Sequence, residues 1–263
     1  MYKKQDANVR KGDTVTSTSL REIEFMNRIA VIIPAYNEAR SLHALLRQLH
    51  KDKKVQSIVV DDGSSDQTSA AAKTWGAKVL RNKHNMGTGR STAHVLQYIK
   101  TKKHESVVLM DADGQHDPKY IPLLLHELGK DADYVIASRY IQRSKNATSP
   151  LRRLGTKLIS LWIALWYGVR VYDVTSGYRA FNKRTLQYLS HHYPTHFSEP
   201  EVILNLLENN FIIREIPCQM KPRMFGRSSI SAPRAMELML YIFGKIFWSG
   251  LRRRLNTAWV SGR

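Results

Sequence analysis

Ser106-Val-Val-Leu-Met110, followed without a break by Asp111-Ala-Asp113-Gly-Gln115, decides how this chain folds. A short apolar run rich in β-branched residues is what a strand buried on both faces requires. Two carboxylates at its very end cannot continue into that core, so they mark where the strand meets solvent. The same pattern recurs on either side. Arg28-Ile-Ala-Val-Ile-Ile-Pro34 stops at a proline, and Val55-Gln-Ser-Ile-Val-Val60 closes on Asp61-Asp62-Gly63-Ser64. Lys78-Val-Leu80 and Tyr134-Val-Ile-Ala137 are shorter copies. Between them, Leu42, Leu45, Leu46 and Leu49 recur at helical spacing, and helices are expected over about 66–75, after Gly87 and over 121–128. Strands alternating with helices predict an α/β fold, a mostly parallel sheet flanked by helices on both faces. Ligands of such sheets bind beyond the C-terminal strand ends, where Glu38, Asp61, Asp62, Asp111 and Asp113 all fall.

The later part of the chain is less regular. Residues 158–169 and 233–255 read as helices, with a short strand near 212–218. Tyr241, Phe243, Phe247 and Trp248 precede Arg252-Arg-Arg254, and aromatic residues beside a basic cluster mark a helix that lies in a membrane interface. The competing reading is a packing helix that closes the domain with its charges solvated. No stretch reaches the ~20 apolar residues of a spanning helix, and residues 1–28 lack the apolar core of a signal peptide. The chain is therefore expected to touch a membrane without crossing it.

Of 263 residues, 41 are Lys or Arg and 22 are Asp or Glu, a net charge of +19. Residues 139–184 carry ten of the basic side chains against Asp173 alone. Such a surface attracts polyanions, anionic lipid headgroups or phosphorylated substrates. A nucleic-acid-binding protein would explain the charge, but no recognised binding motif is present and the acidic strand ends would be idle. The single cysteine, Cys218, excludes an internal disulfide, implies a reducing compartment and reads as a buried small residue in a strand.

Asp111, Asp113 and Gln115 offer hard oxygen ligands, suited to Mg²⁺ or Mn²⁺ that also binds substrate phosphates. An Asp-rich turn of no further purpose uses the same residues. Asp61-Asp62 could accept hydrogen bonds from a base or ribose, while Ser64 or Ser65 caps the next helix. Gly87-Thr-Gly89 lacks the lysine and spacing of a P-loop. The ten histidines show no metal-ligand spacing, and His116 reads as a supporting residue beside the carboxylates.

Five motifs occur in order: Pro34-Ala-Tyr-Asn-Glu38, Val60-Asp-Asp-Gly-Ser64, Asn85-x-Gly87, Asp111-Ala-Asp-Gly-Gln-His-Asp-Pro118 and Ser176-Gly-Tyr-Arg-Ala-Phe181. Together they resemble the family 2 glycosyltransferases of GT-A fold, in the branch of dolichyl-phosphate mannose synthase and bacterial polyprenyl-phosphate glycosyltransferases. The resemblance runs from about Ile29 to Ile230. It implies nucleoside-binding roles for Pro34, Tyr36, Glu38 and Asp62, and metal ligation by Asp111, Asp113 and Gln115, with Asp111 and Asp113 also near the nucleotide. It implies that Arg139 and Arg153 hold donor or acceptor phosphate. Arg223 and Arg227 match a loop that folds over the diphosphate, where Ser229 replaces the family's lysine.

The implied reaction is inverting transfer of one sugar from a UDP- or GDP-sugar to a polyprenyl phosphate, at the cytoplasmic membrane face. The tandem motif of processive synthases is absent. An acceptor hydroxyl on a glycan or lipid-linked saccharide is the alternative, and it would require a base, for which Glu199, Glu201 and Asp173 are candidates. A small membrane protein is a further candidate partner. The expected organisation is a leader at 1–27, a catalytic domain at 28–230 and a basic amphipathic helical segment at 231–263.

Overall fold

The structure is a computed structural model in which residues 29–141, 150–222 and 232–261 are described. The expected strands form where the apolar runs stand: β1 (Ile29–Ala35), β2 (Val55–Asp61), β3 (Lys78–Arg81), β4 (Ser106–Leu109), β5 (Tyr134–Ser138) and β7 (Ile213–Pro217). Between and after them lie α1 (Ala39–Leu49), α2 (Thr68–Thr74), α3 (Thr88–Ile99), α4 (Ile121–Leu128) and α5 (Pro150–Tyr167). The leader at 1–27 and the loop bearing Arg223, Arg227 and Ser229 lie outside the described residues.

One strand departs from the expected parallel order. β6 (Arg179–Asn182) inserts between β4 and β5 and runs antiparallel to both, giving the order β3-β2-β1-β4-β6-β5-β7. Only four residues long, β6 shows no apolar periodicity of its own. Its Ala180 and Phe181 are buried because both neighbours are strands of the core. The sheet is thus mixed, though its other adjacent pairs are parallel. Two further helices, α6 (Lys183–His192) and α7 (Ser198–Glu208), follow β6 and were not foreseen.

Alternate residues of the strands feed two cores. On one face Val31, Ile33, Val59, Val108 and Met110 meet the leucines of α1 and α4. On the other, Ile32, Ile58, Val107, Leu109 and Phe181 meet α3, α5, α7 and the last helix, α8 (Ala232–Ser261). Coverage of both faces leaves the strand ends as the place where polar chemistry is accessible. Cys218 lies one residue beyond β7 and is buried, and burial pushes its thiol up to about 12.

Candidate active site

The first two strand ends are sewn together by their own polar residues. The Asp62 amide bonds the Ala35 carbonyl (2.9 Å). Asn37, in a left-handed conformation at φ 56°, accepts from the Ser65 amide (2.8 Å) and donates its own amide to Ser64 Oγ (2.9 Å). Glu38 donates its amide to Thr68 Oγ1 (3.0 Å), and Asp66 accepts from the Ala39 amide (3.1 Å). Tyr36 stands at this junction with 47% of its surface exposed.

Asp62, for which the resemblance implies a nucleoside-binding role, faces donors of the chain itself. It is buried, and it accepts from Asn82 Nδ2 (2.8 Å), Ser91 Oγ (2.7 Å) and the amides of Met86 (3.0 Å) and Gly87 (2.8 Å). Burial alone would raise its pKa, but these bonds outweigh it and hold the carboxyl below its usual range. Asp62 therefore shapes the 86–87 loop, where Gly87 adopts φ 87°. Asp61 is equally buried and accepts from the Ser64 amide (2.8 Å).

At the end of β4 the two carboxylates separate. The Asp111 side chain is 47% exposed, whereas Asp113 is 5% exposed and accepts from the Gln115 amide (3.0 Å). His116 sits beneath them, stacked on Tyr178 at 4.8 Å between centroids. Its Nδ1 accepts from the Asp111 amide (2.9 Å), so the ring proton is on Nε2, which lies 3.7 Å from Asp111 Oδ2. Burial, only partly countered by Asp113, pushes the imidazole down to about 4 and keeps it neutral. From the other side Gly177 presses on Asp111: a Cβ there would lie 2.9 Å from Oδ2. A side chain at this position would push the Asp111 carboxylate aside, which gives the Ser176-Gly177 motif a structural reason.

Arg139 is not a free cation. Its Nε and Nη2 donate to the two oxygens of Asp173 (2.7 Å each), Nη2 also reaches Thr175 Oγ1 (2.9 Å), and its amide bonds Asp173 Oδ2 (3.0 Å). Asp173 is wholly buried, and Glu215 steadies it by accepting the Tyr172 and Asp173 amides (2.7 and 2.8 Å). Arg153 is exposed near the start of α5. Lys221 and Gln115 exchange backbone contact: the Lys221 amide bonds the Gln115 carbonyl (3.0 Å), and Gln115 Nε2 reaches the Lys221 carbonyl (3.3 Å). The chain thus leaves the Asp111–Gln115 turn just before Arg223. Glu215 and the Lys221 contact escaped the sequence reading, because each acts through a residue remote in the chain.

A sheet with this order, and carboxylates at the ends of adjacent strands, is the architecture of GT-A glycosyltransferases. Glucosyl-3-phosphoglycerate synthase from Mycobacterium tuberculosis, solved with Mn²⁺, UDP-glucose and phosphoglyceric acid, shares it with a TM-score of 0.63 at 20% identity, over 94% of this chain and 85% of that one. The chain belongs to glycosyl transferase family 2, which matches residues 30–198, and it is a glycosyltransferase. It is 31% identical to the undecaprenyl-phosphate mannosyltransferase of Micrococcus luteus, over 87% of this chain and 99% of that protein. The polyprenol monophosphomannose synthase of Mycolicibacterium smegmatis is 29% identical, over 88% and 90%. The dolichol-phosphate mannosyltransferase of Pyrococcus furiosus is also 29% identical, over 85% of this chain but 65% of the longer relative.

Proposed function

We propose that the chain transfers one sugar, with inversion, from a UDP- or GDP-sugar to a polyprenyl phosphate at the cytoplasmic membrane face. The observation that carries this reading is the Asp111–Asp113 pair at the end of β4, one carboxylate turned outward and both backed by fixed partners. Relatives named for polyprenol, undecaprenyl-phosphate and dolichol-phosphate acceptors supply the acceptor class.

The donor set fits Mg²⁺ or Mn²⁺. Among the described residues no three His, Cys, Asp or Glu side chains form a ready-made cage. Magnesium-like ions suit just such a site, held by one or two carboxylates and completed by substrate phosphates and water. Asp111, Asp113 and the Gln115 amide oxygen would hold the ion, which supplies neutralisation of the departing diphosphate. Tyr36 offers an exposed ring for the base, flanked by Pro34 and Glu38, and Asp62 acts from behind through the Gly87 loop. Arg139 contributes its field while it anchors the Asp173 turn. Direct phosphate contacts fall to Arg153, Arg223 and Arg227.

An oxygen of the acceptor phosphate attacks the anomeric carbon, the bond from that carbon to the diphosphate oxygen breaks, and nucleoside diphosphate leaves. The attacking group is already anionic, so positioning and electrostatics suffice. Two of the three carboxylates that could serve a hydroxyl acceptor are spent: Asp173 on Arg139, and Glu201 on Lys245 (2.7 Å). That disfavours the saccharide-hydroxyl alternative, which would rest on Glu199 alone.

Membrane contact is assigned to α5 and α8, which lie side by side in parallel, Trp162 against Phe243 and Trp166 against Phe247. Leu154, Leu158, Leu161 and Leu165 on α5, with Leu240, Phe247 and Trp248 on α8, are exposed. Among the described residues no helix is long and apolar enough to cross a membrane. Purified chain should transfer sugar from one member of a UDP- and GDP-sugar panel to undecaprenyl phosphate, with chelation by EDTA stopping turnover. Transfer to a saccharide hydroxyl but not to the lipid phosphate would overturn the acceptor assignment.

A further inference from the structure

The segment leading into α7 packs between α3 and β6, next to two parts of the site. Thr195 passes so close to α3 that a Cβ on Gly89 would fall 2.7 Å from its carbonyl oxygen. Gly89 is two residues beyond the Gly87 amide that Asp62 holds. Further on, the Glu199 carbonyl accepts from Arg179 Nη1 (3.1 Å). Arg179 is 1% exposed; it also donates to Tyr134 Oη (2.6 Å) and, through Nε, to the Ser176 carbonyl. Ser176 precedes the glycine on which Asp111 rests. The start of α7 is therefore tied to the Asp62 loop on one side and to the Asp111 turn on the other.

The last helix grips the same place. Lys245 Nζ on α8 donates to Glu201 Oε2 at 2.7 Å, and Glu201 is only 5% exposed. One turn earlier the Tyr241 ring lies 5.5 Å from Phe197, the residue before α7. Ile242 and Ile246 are fully buried on the inner face of α8, while Leu240, Phe247 and Trp248 are exposed on the outer one. Tyr241 also hydrogen-bonds Glu201, but among the described residues only Lys245 brings a positive charge, so removing it leaves a buried carboxylate without its counter-ion.

We propose that Lys245 is a positioning residue: through Glu201 it sets the start of α7, so that seating α8 on a lipid surface is felt at the catalytic site. The lipid trigger rests on the membrane assignment made above; the ion pair and its ties to the site do not. Lys245 touches no reacting atom in this scheme. It acts on residues 195–201, whose ties to both parts of the site make a small displacement there costly to the chemical step.

The full chain, Lys245→Met and Lys245→Arg are compared with the nucleotide sugar that the wild type turns over and a short, soluble polyprenyl phosphate. Vesicles of phosphatidylcholine and phosphatidylglycerol are added or omitted. In solution, Lys245→Met should lose about tenfold in kcat at unchanged KM, and Lys245→Arg should recover it. With vesicles, wild type and Lys245→Met should co-sediment alike, but only the wild type should gain kcat and show slowed hydrogen exchange over 195–201. Equal kcat in solution, or equal gain and equal protection on vesicles, would overturn the proposal. A wild type that does not co-sediment would sink the membrane assignment alone, and the solution comparison then decides the role of Lys245.

Discussion

At the scale of single residues, burial divides carboxylates that shape the site from those that present oxygen to a ligand. Asp62 belongs to the first kind. Asp62→Asn replaces one acceptor oxygen with a donor facing other donors, and chemical denaturation at pH 7 should show a loss of about 2–4 kcal/mol. The pH dependence has a definite sign. The folded-state pKa of Asp62 lies below its ordinary 3.8, so its stabilisation is complete above that value and is lost as pH falls through the lower folded one. The gap between wild type and Asp62→Asn should therefore narrow below about pH 4, and a constant gap would contradict the assignment. Asp113 carries a correction. Both carboxylates are expected where the strand meets solvent, yet Asp113 is 5% exposed, and the Gln115 amide, just past the left-handed Gly114, caps its carboxylate. Which of two acidic neighbours points outward depends on the turn, and no spacing rule contains that.

Among elements, those with their own periodicity were legible. Strands β1, β2, β4 and β5, and the leucine face of α1, follow from apolar runs alone, since each is buried by hydrophobic side chains of its own. β6 was not, because its four residues owe their state to the strands on either side. The two long apolar segments read as helices, and α5 extends earlier than expected, to Pro150. Their outward apolar stripes make a prediction of their own. Replacing Leu240 and Trp248 together with serine should weaken binding to anionic vesicles about tenfold or more, given roughly 25 cal/mol per Å² of apolar surface. The melting temperature should barely move, as both side chains are exposed. Unchanged vesicle co-sedimentation would return α8 to the role of a packing helix.

For the molecule as a whole, two covered sheet faces leave one edge of strand ends for chemistry, and one flank for the parallel helices α5 and α8. The sequence located the acidic edge correctly, because charge cannot be buried in a strand without a partner. It did not show that Arg139 is paired with Asp173, since that partner lies 34 residues away and only the fold joins them. The central claim is that Asp111 and Asp113 assemble a divalent metal with the donor diphosphate. Its most direct test is a titration of Mn²⁺ into wild type and Asp113→Asn at saturating UDP or GDP, followed by calorimetry. The wild type should bind one Mn²⁺ together with the nucleotide, and Asp113→Asn should bind it at least tenfold more weakly while keeping its far-ultraviolet circular dichroism. Equal Mn²⁺ affinity in a folded Asp113→Asn would contradict the account.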